Sequence, residues 1–332
     1  MNKIRNLSYA EAINEATSQV MKFDKNILVL GQLVDYKTGV FGTTVGLLEK
    51  YGSMRVRDFP VAESLMTSMA LGLTTAKKRA ILVHHRLDFM FYSMDAIVNW
   101  LSLWRFKSGI DKNIKVPVVI RAIVGKGWGQ GPQHSKSIHS WFANLPGLRV
   151  ALPTNSYDAK GILIDSIFSN IPTIIIEHRS LFESKTFVPK AMYKVEFGSA
   201  NIIQKGKDIT VVCIGYIINE VISASEQLKK TKNLSIEIID IRTLNPIDHM
   251  TVNLSVKKTG RLLVIDSSWI SFGASAEVVT KSLEDSWPYF KTKPERLAFP
   301  DSHTPMSLKM ENLYYPSKKV IINKILSILK SK

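Results

Sequence analysis

Cysteine is nearly absent from this chain of 332 residues: Cys213 stands alone. A structural disulfide and a cysteine-rich metal site within the chain are thereby excluded, and a reducing cytoplasm is the expected location. Long apolar runs are missing too. None reaches the roughly 18 residues that a membrane-spanning helix needs. The opening Met1-Asn2-Lys3-Ile4-Arg5 lacks the apolar stretch of a secretory signal. Acidic residues are scarce, with 28 Asp and Glu against 44 Lys and Arg and a formal charge of +16 at pH 7. Such a balance suits an acidic partner, an anionic ligand or nucleic acid. The lysines are scattered, and neither zinc-finger spacing nor an RNA-binding aromatic motif occurs, so no nucleic-acid partner is expected. Charge spread over a solvated surface is the plainest account. An acidic partner or anionic ligand comes next.

What is present is alternation. The length is generous for one domain and comfortable for two. Apolar runs at residues 26–31, 80–83, 116–124, 149–152 and 173–177 predict buried strands. Amphipathic stretches at 8–21, 64–75, 93–104 and 157–168 predict helices, the first capped by Ser8 with Glu11 three residues on. Residues 184–199 carry Pro189 and no clear period, and read as a linker. The pattern then restarts, with strands at 208–215, 235–241 and 261–266 and helices at 218–229, 274–283 and 317–329. The fold class is therefore α/β: two parallel-sheet, three-layer α/β/α domains, at 1–188 and 200–332. Ligands of such sheets sit at the carboxyl ends of the strands. That places attention on Gln32-Leu33-Val34, His84-His85-Arg86 and the run from Gly125 to His134.

Singly, the polar residues there say little. Glu63 follows Pro60-Val61-Ala62 and opens a predicted helix, where a carboxylate is favourable in any case. Alternating glycines in Gly125-Lys126-Gly127-Trp128-Gly129-Gln130-Gly131 fit neither the dinucleotide fingerprint nor the Walker loop. The ordered set says more. Gly31-Gln32-Leu33-Val34, Gly46-Leu47-Leu48-Glu49-Lys50-Tyr51-Gly52, Asp58-Phe59-Pro60-Val61-Ala62-Glu63 and Gln133-His134-Ser135 follow one another. So do Pro146-Gly147-Leu148-Arg149-Val150, Tyr157-Asp158-Ala159-Lys160-Gly161, Asp240-Ile241-Arg242-Thr243-Leu244 and Val256-Lys257-Lys258-Thr259-Gly260. This order resembles, over nearly the whole chain, the beta subunit of the decarboxylating component of 2-oxo acid dehydrogenases. Pyruvate, branched-chain and acetoin dehydrogenases are the best-known members.

The resemblance implies a transketolase-like pyrimidine-binding domain over 1–188 and a transketolase C-terminal-like domain over 200–332. It implies thiamine diphosphate as cofactor. Glu63 then matches the carboxylate on the aminopyrimidine ring nitrogen, Phe89 the aromatic packed on that ring, and His134 the histidine facing the substrate. Gln32 stands at the cofactor site after the first strand. The Gly-Asp-Gly stretch ending in asparagine, which holds Mg2+ and the diphosphate in this class, is missing from the chain. In the family it belongs to an alpha subunit. An alpha partner is expected, in an alpha2-beta2 heterotetramer, with a lipoyl acyltransferase as a further partner and no metal site on this chain.

Several positions depart from the family. Gln32-Leu33 replaces an acidic pair, Val83-His84-His85-Arg86 replaces a stretch with a glutamate near Val83, and Trp100-Leu101-Ser102-Leu103-Trp104 replaces small residues. Asp301-Ser302-His303-Thr304-Pro305 replaces an aspartate-x-proline pattern. Acidic groups are exchanged for neutral and basic ones, either by drift or for a larger or more anionic substrate, with His85 and Arg86 as candidate contacts. Adjacent His84 and His85 point to opposite sides of an extended chain and make a poor metal pair. Ser169 occupies the usual aspartate position of a monovalent-cation site, so that ion is not expected. Two rivals stay open: a split transketolase-like enzyme moving two carbons to a sugar or nucleotide-sugar acceptor, and a non-catalytic scaffolding homologue.

Overall fold

The computed structural model describes residues 5–107, 114–127 and 129–331. Trp128 of the glycine-rich run and the two chain ends lie outside them. The chain divides into two compact units, one of residues 1–125 and 141–197, the other of 126–140 and 198–332. Residues 126–140, inside the span expected for the first domain, are thus part of the second unit.

The first unit runs through β1 (Asn6–Ser8), α1 (Tyr9–Phe23), β2 (Ile27–Gly31), α2 (Leu47–Tyr51), β3 (Val56–Asp58), α3 (Glu63–Thr75), β4 (Arg79–His84) and α4 (Trp104–Lys107). It continues through β5 (Val118–Val124), the end of the short α5 (His139–Ala143, whose first two residues belong to the second unit), β6 (Arg149–Ala151), α6 (Ser156–Phe168), β7 (Thr173–His178) and β8 (Lys185–Phe187). A parallel sheet forms in the order β6-β7-β5-β4-β2-β3. Every residue of β5 is buried, as are all six of β7. A parallel strand covered on both faces must be apolar on both, which is why these strands read as unbroken apolar runs. Ser8 caps α1 through a full capping box with Glu11. That helix packs on α6.

Two expectations need correction. Residues 184–199 are not all linker, because β8 pairs antiparallel with β1, from Asn6↔Phe187 to Ser8↔Lys185. Three-residue strands leave too little pattern to be recognised. The expected helix at 93–104 is instead a 3-10 turn over Leu87–Ser93, a π-helical turn over Ala96–Leu101 and the short α4.

The second unit contains β9 (Asn201–Gln204), β10 (Ile209–Ile214), α7 (Ile218–Lys232), β11 (Ile236–Asp240), β12 (Thr243–Asn245), α8 (His249–Thr259), β13 (Leu262–Trp269), α9 (Ala274–Ser286), β14 (Glu295–Phe299), α10 (Leu308–Tyr314) and α11 (Lys318–Lys330). Its sheet has the order β14-β13-β10-β11-β9. All pairs are parallel except the edge strand β9, which runs antiparallel to β11. Helix α8 is bounded by Asp248, whose side chain accepts the Thr251 amide, and by Gly260 in the left-handed conformation.

One polar interaction lies inside the first sheet. Arg121 on β5 is fully buried and donates through Nε and Nη2 to the two carboxylate oxygens of Glu177 on β7, at 2.6 and 2.8 Å. Arg121 pairs with Ile175, so Glu177, two residues on, shares its face. Arg121→Met should strand a buried carboxylate and lower stability by about 3–5 kcal/mol, while Arg121→Met with Glu177→Leu should recover most of the loss. Urea denaturation of the three proteins checks this, and a double variant no better than the single one counts against it.

Candidate active site

At the carboxyl ends of β2 and β4 the backbone closes tightly. Gly31 ends β2 with φ +148°, and a Cβ there would meet the Val83 carbonyl oxygen at 2.3 Å. No side chain fits at that approach. The chain then turns out as Gln32, whose Nε2 donates to Glu63 Oε1 at 3.1 Å. Glu63 is the first residue of α3 and only 6% exposed. Ala62, which has no side-chain acceptor, holds the N-cap position. The carboxylate therefore sits at the helix start, among backbone N–H groups that have no partner within the helix.

Glu63 lines a cleft of about 840 Å³ with Val61, Ala62, Ser64, Leu65, Ser68 and Tyr92. Val61, Leu65 and Tyr92 are 83%, 51% and 73% exposed, an apolar rim beside a buried acid. One turn along α3, Thr67 is hydrogen-bonded to His84 Nε2 at 3.1 Å and donates to Ser93 Oγ at 3.0 Å. Phe89 is half-buried within the Leu87–Ser93 turn that packs on α3.

His84 and His85 do face opposite ways. His84 is buried against α3, whereas His85 stacks on Phe41, centroids 5.0 Å apart and planes 18° from parallel. Burial pushes His84 down to about 3. Burial and the Arg86 charge take His85 to about 4. Both are neutral at pH 7. Arg86 and Arg179 also lie over Phe41, with guanidinium carbons 5.4 and 4.6 Å from the ring centre. Burial lowers Arg86 from its ordinary value, Asp88 opposes that fall, and Arg179 adds to it. Arg179 was not among the residues expected from sequence. It follows Glu177 and His178 at the end of β7, and the strand-end rule applied to every strand would have found it.

His134 belongs to the second unit. It closes a 3-10 turn over Gly131–Gln133. The segment 126–140 is fastened along its length. Gly127 donates its amide to Glu311 Oε1 at 2.7 Å, and Ser268 Oγ donates to the Ser137 carbonyl at 2.8 Å. Gly131 has φ +55°, and a Cβ on it would meet Met306 Cγ at 2.4 Å. His139 Nε2 lies 2.8 Å from Asp266 Oδ1, both fully buried, and Asp266 Oδ2 accepts the Ser275 amide. Glu63, Gln32, Phe89, His85 and Arg86 are thus in the first unit and His134 in the second. Among the described residues, no group of three or more His, Cys, Asp or Glu side chains is placed to hold a metal ion.

The His84 environment has a pH consequence. Its folded value lies below the unfolded 6.5, so between pH 6.5 and 3 only the unfolded chain takes up the proton. Stability contributed by this residue is intact above pH 6.5 and falls as the pH drops, by roughly 1.4 kcal/mol per pH unit. His84→Gln should therefore shrink the stability loss between pH 7.5 and 5 by about 2 kcal/mol. Urea midpoints at the two pH values test this, and an unchanged loss in the variant would count against it.

Residues 5–185 match the family described as transketolase, pyrimidine binding domain, and residues 198–321 match transketolase, C-terminal domain. The chain is 36% identical over 317 residues to a pyruvate dehydrogenase E1 component subunit beta of Staphylococcus epidermidis, covering 95% of this chain and 96% of that protein. It is also 36% identical over 319 residues to the same-named subunit of Staphylococcus aureus, covering 96% and 97%. Among solved structures it is similar in fold to a split-gene transketolase described as an inactive beta4 tetramer. That match has a TM-score of 0.77 and 19% identity and covers 98% of this chain and 99% of that one. With this identity held along nearly its full length and both halves matched, the chain belongs to the family of pyruvate dehydrogenase E1 component beta subunits.

Proposed function

We propose that this chain is the cofactor-activating beta subunit of a thiamine diphosphate-dependent 2-oxo acid dehydrogenase. It would act on pyruvate or a related 2-oxo acid and pass the acyl group to a lipoyl acceptor. The observation that carries this reading is a buried carboxylate, Glu63, held by Gln32 at the opening of an apolar-rimmed cleft. The residues present fit the cofactor's aminopyrimidine ring. Gln32 engages Glu63 Oε1, which leaves Oε2 to hold a proton at a ring nitrogen. Phe89 supplies an apolar face for the ring. When bound, thiamine diphosphate supplies the carbon nucleophile and takes up the electrons of the broken carbon–carbon bond. Glu63 sets the protonation of the ring, a general acid–base role. His134 moves protons at the substrate oxygen.

The diphosphate and Mg2+ are assigned to an alpha subunit, because the Gly-Asp-Gly…Asn stretch is missing from this sequence. The exposed Val61, Leu65 and Tyr92 beside the cleft suit a surface covered by that partner. An alpha2-beta2 assembly, a lipoyl acyltransferase partner and a cytoplasmic location complete the proposal. No helix among the described residues is long and apolar enough to cross a membrane.

Glu63→Gln, purified with its alpha partner, should melt at the wild-type temperature and lose about 10²–10⁴-fold in kcat. Decarboxylation assays with a panel of 2-oxo acids, alongside calorimetric titration of thiamine diphosphate with Mg2+, test this. Turnover within roughly tenfold of wild type would remove Glu63 from the mechanism. Two-carbon transfer to a sugar without release of carbon dioxide from a 2-oxo acid would favour the transketolase-like alternative.

A further inference from the structure

The second unit has a cavity of its own, of about 210 Å³, with Lys126, Glu220, Glu311, Asn312 and Tyr315 among its lining residues. Glu311 on α10 is 4% exposed. Its Oε1 accepts the Gly127 amide, and its Oε2 is buried with no hydrogen-bond partner among the described residues. Buried polar atoms are nearly always paired, so a carboxylate oxygen left open at a cavity calls for a donor. The cation at the same cavity does not supply one. The Lys126 ammonium lies over the Tyr216 and Tyr315 rings, 4.9 and 4.6 Å from their centres. Ring faces attract a cation without satisfying its three N–H donors. Among the described residues, Lys126 has neither a hydrogen-bond acceptor nor an ion-pair partner. Burial lowers it from its ordinary value, while the Glu220 and Glu311 charges oppose that fall. Glu220 stands half-buried in the first turn of α7.

One small cavity thus presents an ammonium with open donors and a buried carboxylate oxygen with open acceptor capacity, not joined to each other. A simple anion would answer Lys126, leave Glu311 Oε2 bare and meet the repulsion of two carboxylates. A simple cation would answer Glu311 and crowd Lys126. A molecule carrying both charges answers both sides with charge-assisted hydrogen bonds. Pockets for drug-sized ligands hold roughly 300–1,000 Å³, so this one suits a smaller occupant. We propose that the cavity binds a free α-amino acid, its carboxylate on Lys126 Nζ and its ammonium on Glu311 Oε2, with Glu220 adding attraction for the ammonium. Glu311 Oε1 meanwhile holds Gly127, so the carboxylate that faces the ligand also fastens the segment that carries His134.

The probe is L-alanine, with ethylamine and propionate, which each carry one of its two charges, as controls. Calorimetric titration of the full-length chain at low ionic strength reads the affinities. L-Alanine should bind, and each control should bind about tenfold more weakly or worse. Lys126→Met should weaken L-alanine by about tenfold or more and leave ethylamine no weaker than in the wild type. Glu311→Gln should weaken L-alanine to a similar degree and leave propionate no weaker. General damage to the fold would not produce that crossed pattern. Lys207→Gln, an exposed charge elsewhere in the unit, should leave L-alanine unchanged. If Glu311→Gln fails to fold, Lys126→Met and Glu220→Gln carry the test, the latter weakening L-alanine but not propionate. No L-alanine binding to the wild type, a control bound as tightly as L-alanine, or undiminished L-alanine binding in a folded Lys126→Met or Glu311→Gln variant overturns the site. Neither the alpha partner nor thiamine diphosphate enters these titrations, so their outcome is independent of the Glu63 reading.

Discussion

The buried pair of Arg121 and Glu177 is the constraint on which the first unit's geometry depends. An uncompensated charge in the middle of a fully covered parallel sheet is severely destabilising. The bidentate geometry therefore admits one register of β5 against β7. A slip of a single residue would turn Glu177 to the opposite face and leave both ions unpartnered. Because the register is fixed here, so is the point at which each strand leaves the sheet. His178 and Arg179 leave β7, Gly125 leaves β5, and His85 and Arg86 leave β4. The side chains at these strand ends are positioned by an ion pair buried inside the sheet.

From that edge the polar residues divide between two sides of the sheet. Strand alternation sends His84 to α3, where Thr67 and Ser93 hold it, and His85 to Phe41. Glu63 and its Gln32 partner lie on the α3 side. One side therefore carries a buried acid beside an apolar rim and the other a basic aromatic cluster, and a single strand end joins them. Both histidines are neutral at physiological pH, so neither adds a charge to its side.

Much of this was legible in the sequence, and the parts that were not share a cause. Strands such as β5 and β7 showed themselves as apolar runs because both of their faces are covered. Helix α1 showed itself through Ser8 and Glu11. The ordered motifs carried the family over nearly the whole chain. What stayed hidden depends on distant contacts. β1 and β8 are three-residue strands that exist only through each other, 177 to 181 residues apart in the numbering of their paired residues. Arg179 stands at a strand end that the sequence marks, but no local pattern joins it to Phe41. The anchoring of the His134 segment rests on Asp266, Ser268, Met306 and Glu311, none of which the local sequence of 126–140 points to.

That anchoring makes the first unit discontinuous in the chain. Its two pieces, 1–125 and 141–197, are interrupted by a segment whose partners come much later, Glu311 trailing Gly127 by 184 residues. At about 5–20 residues per second, a ribosome would expose the His134 segment roughly 10–40 s before the residue that fastens it exists. The nascent first unit must therefore close around an unmoored loop. No single backbone cut separates the two units cleanly, so a fragment ending near residue 188 carries His134 without its anchors.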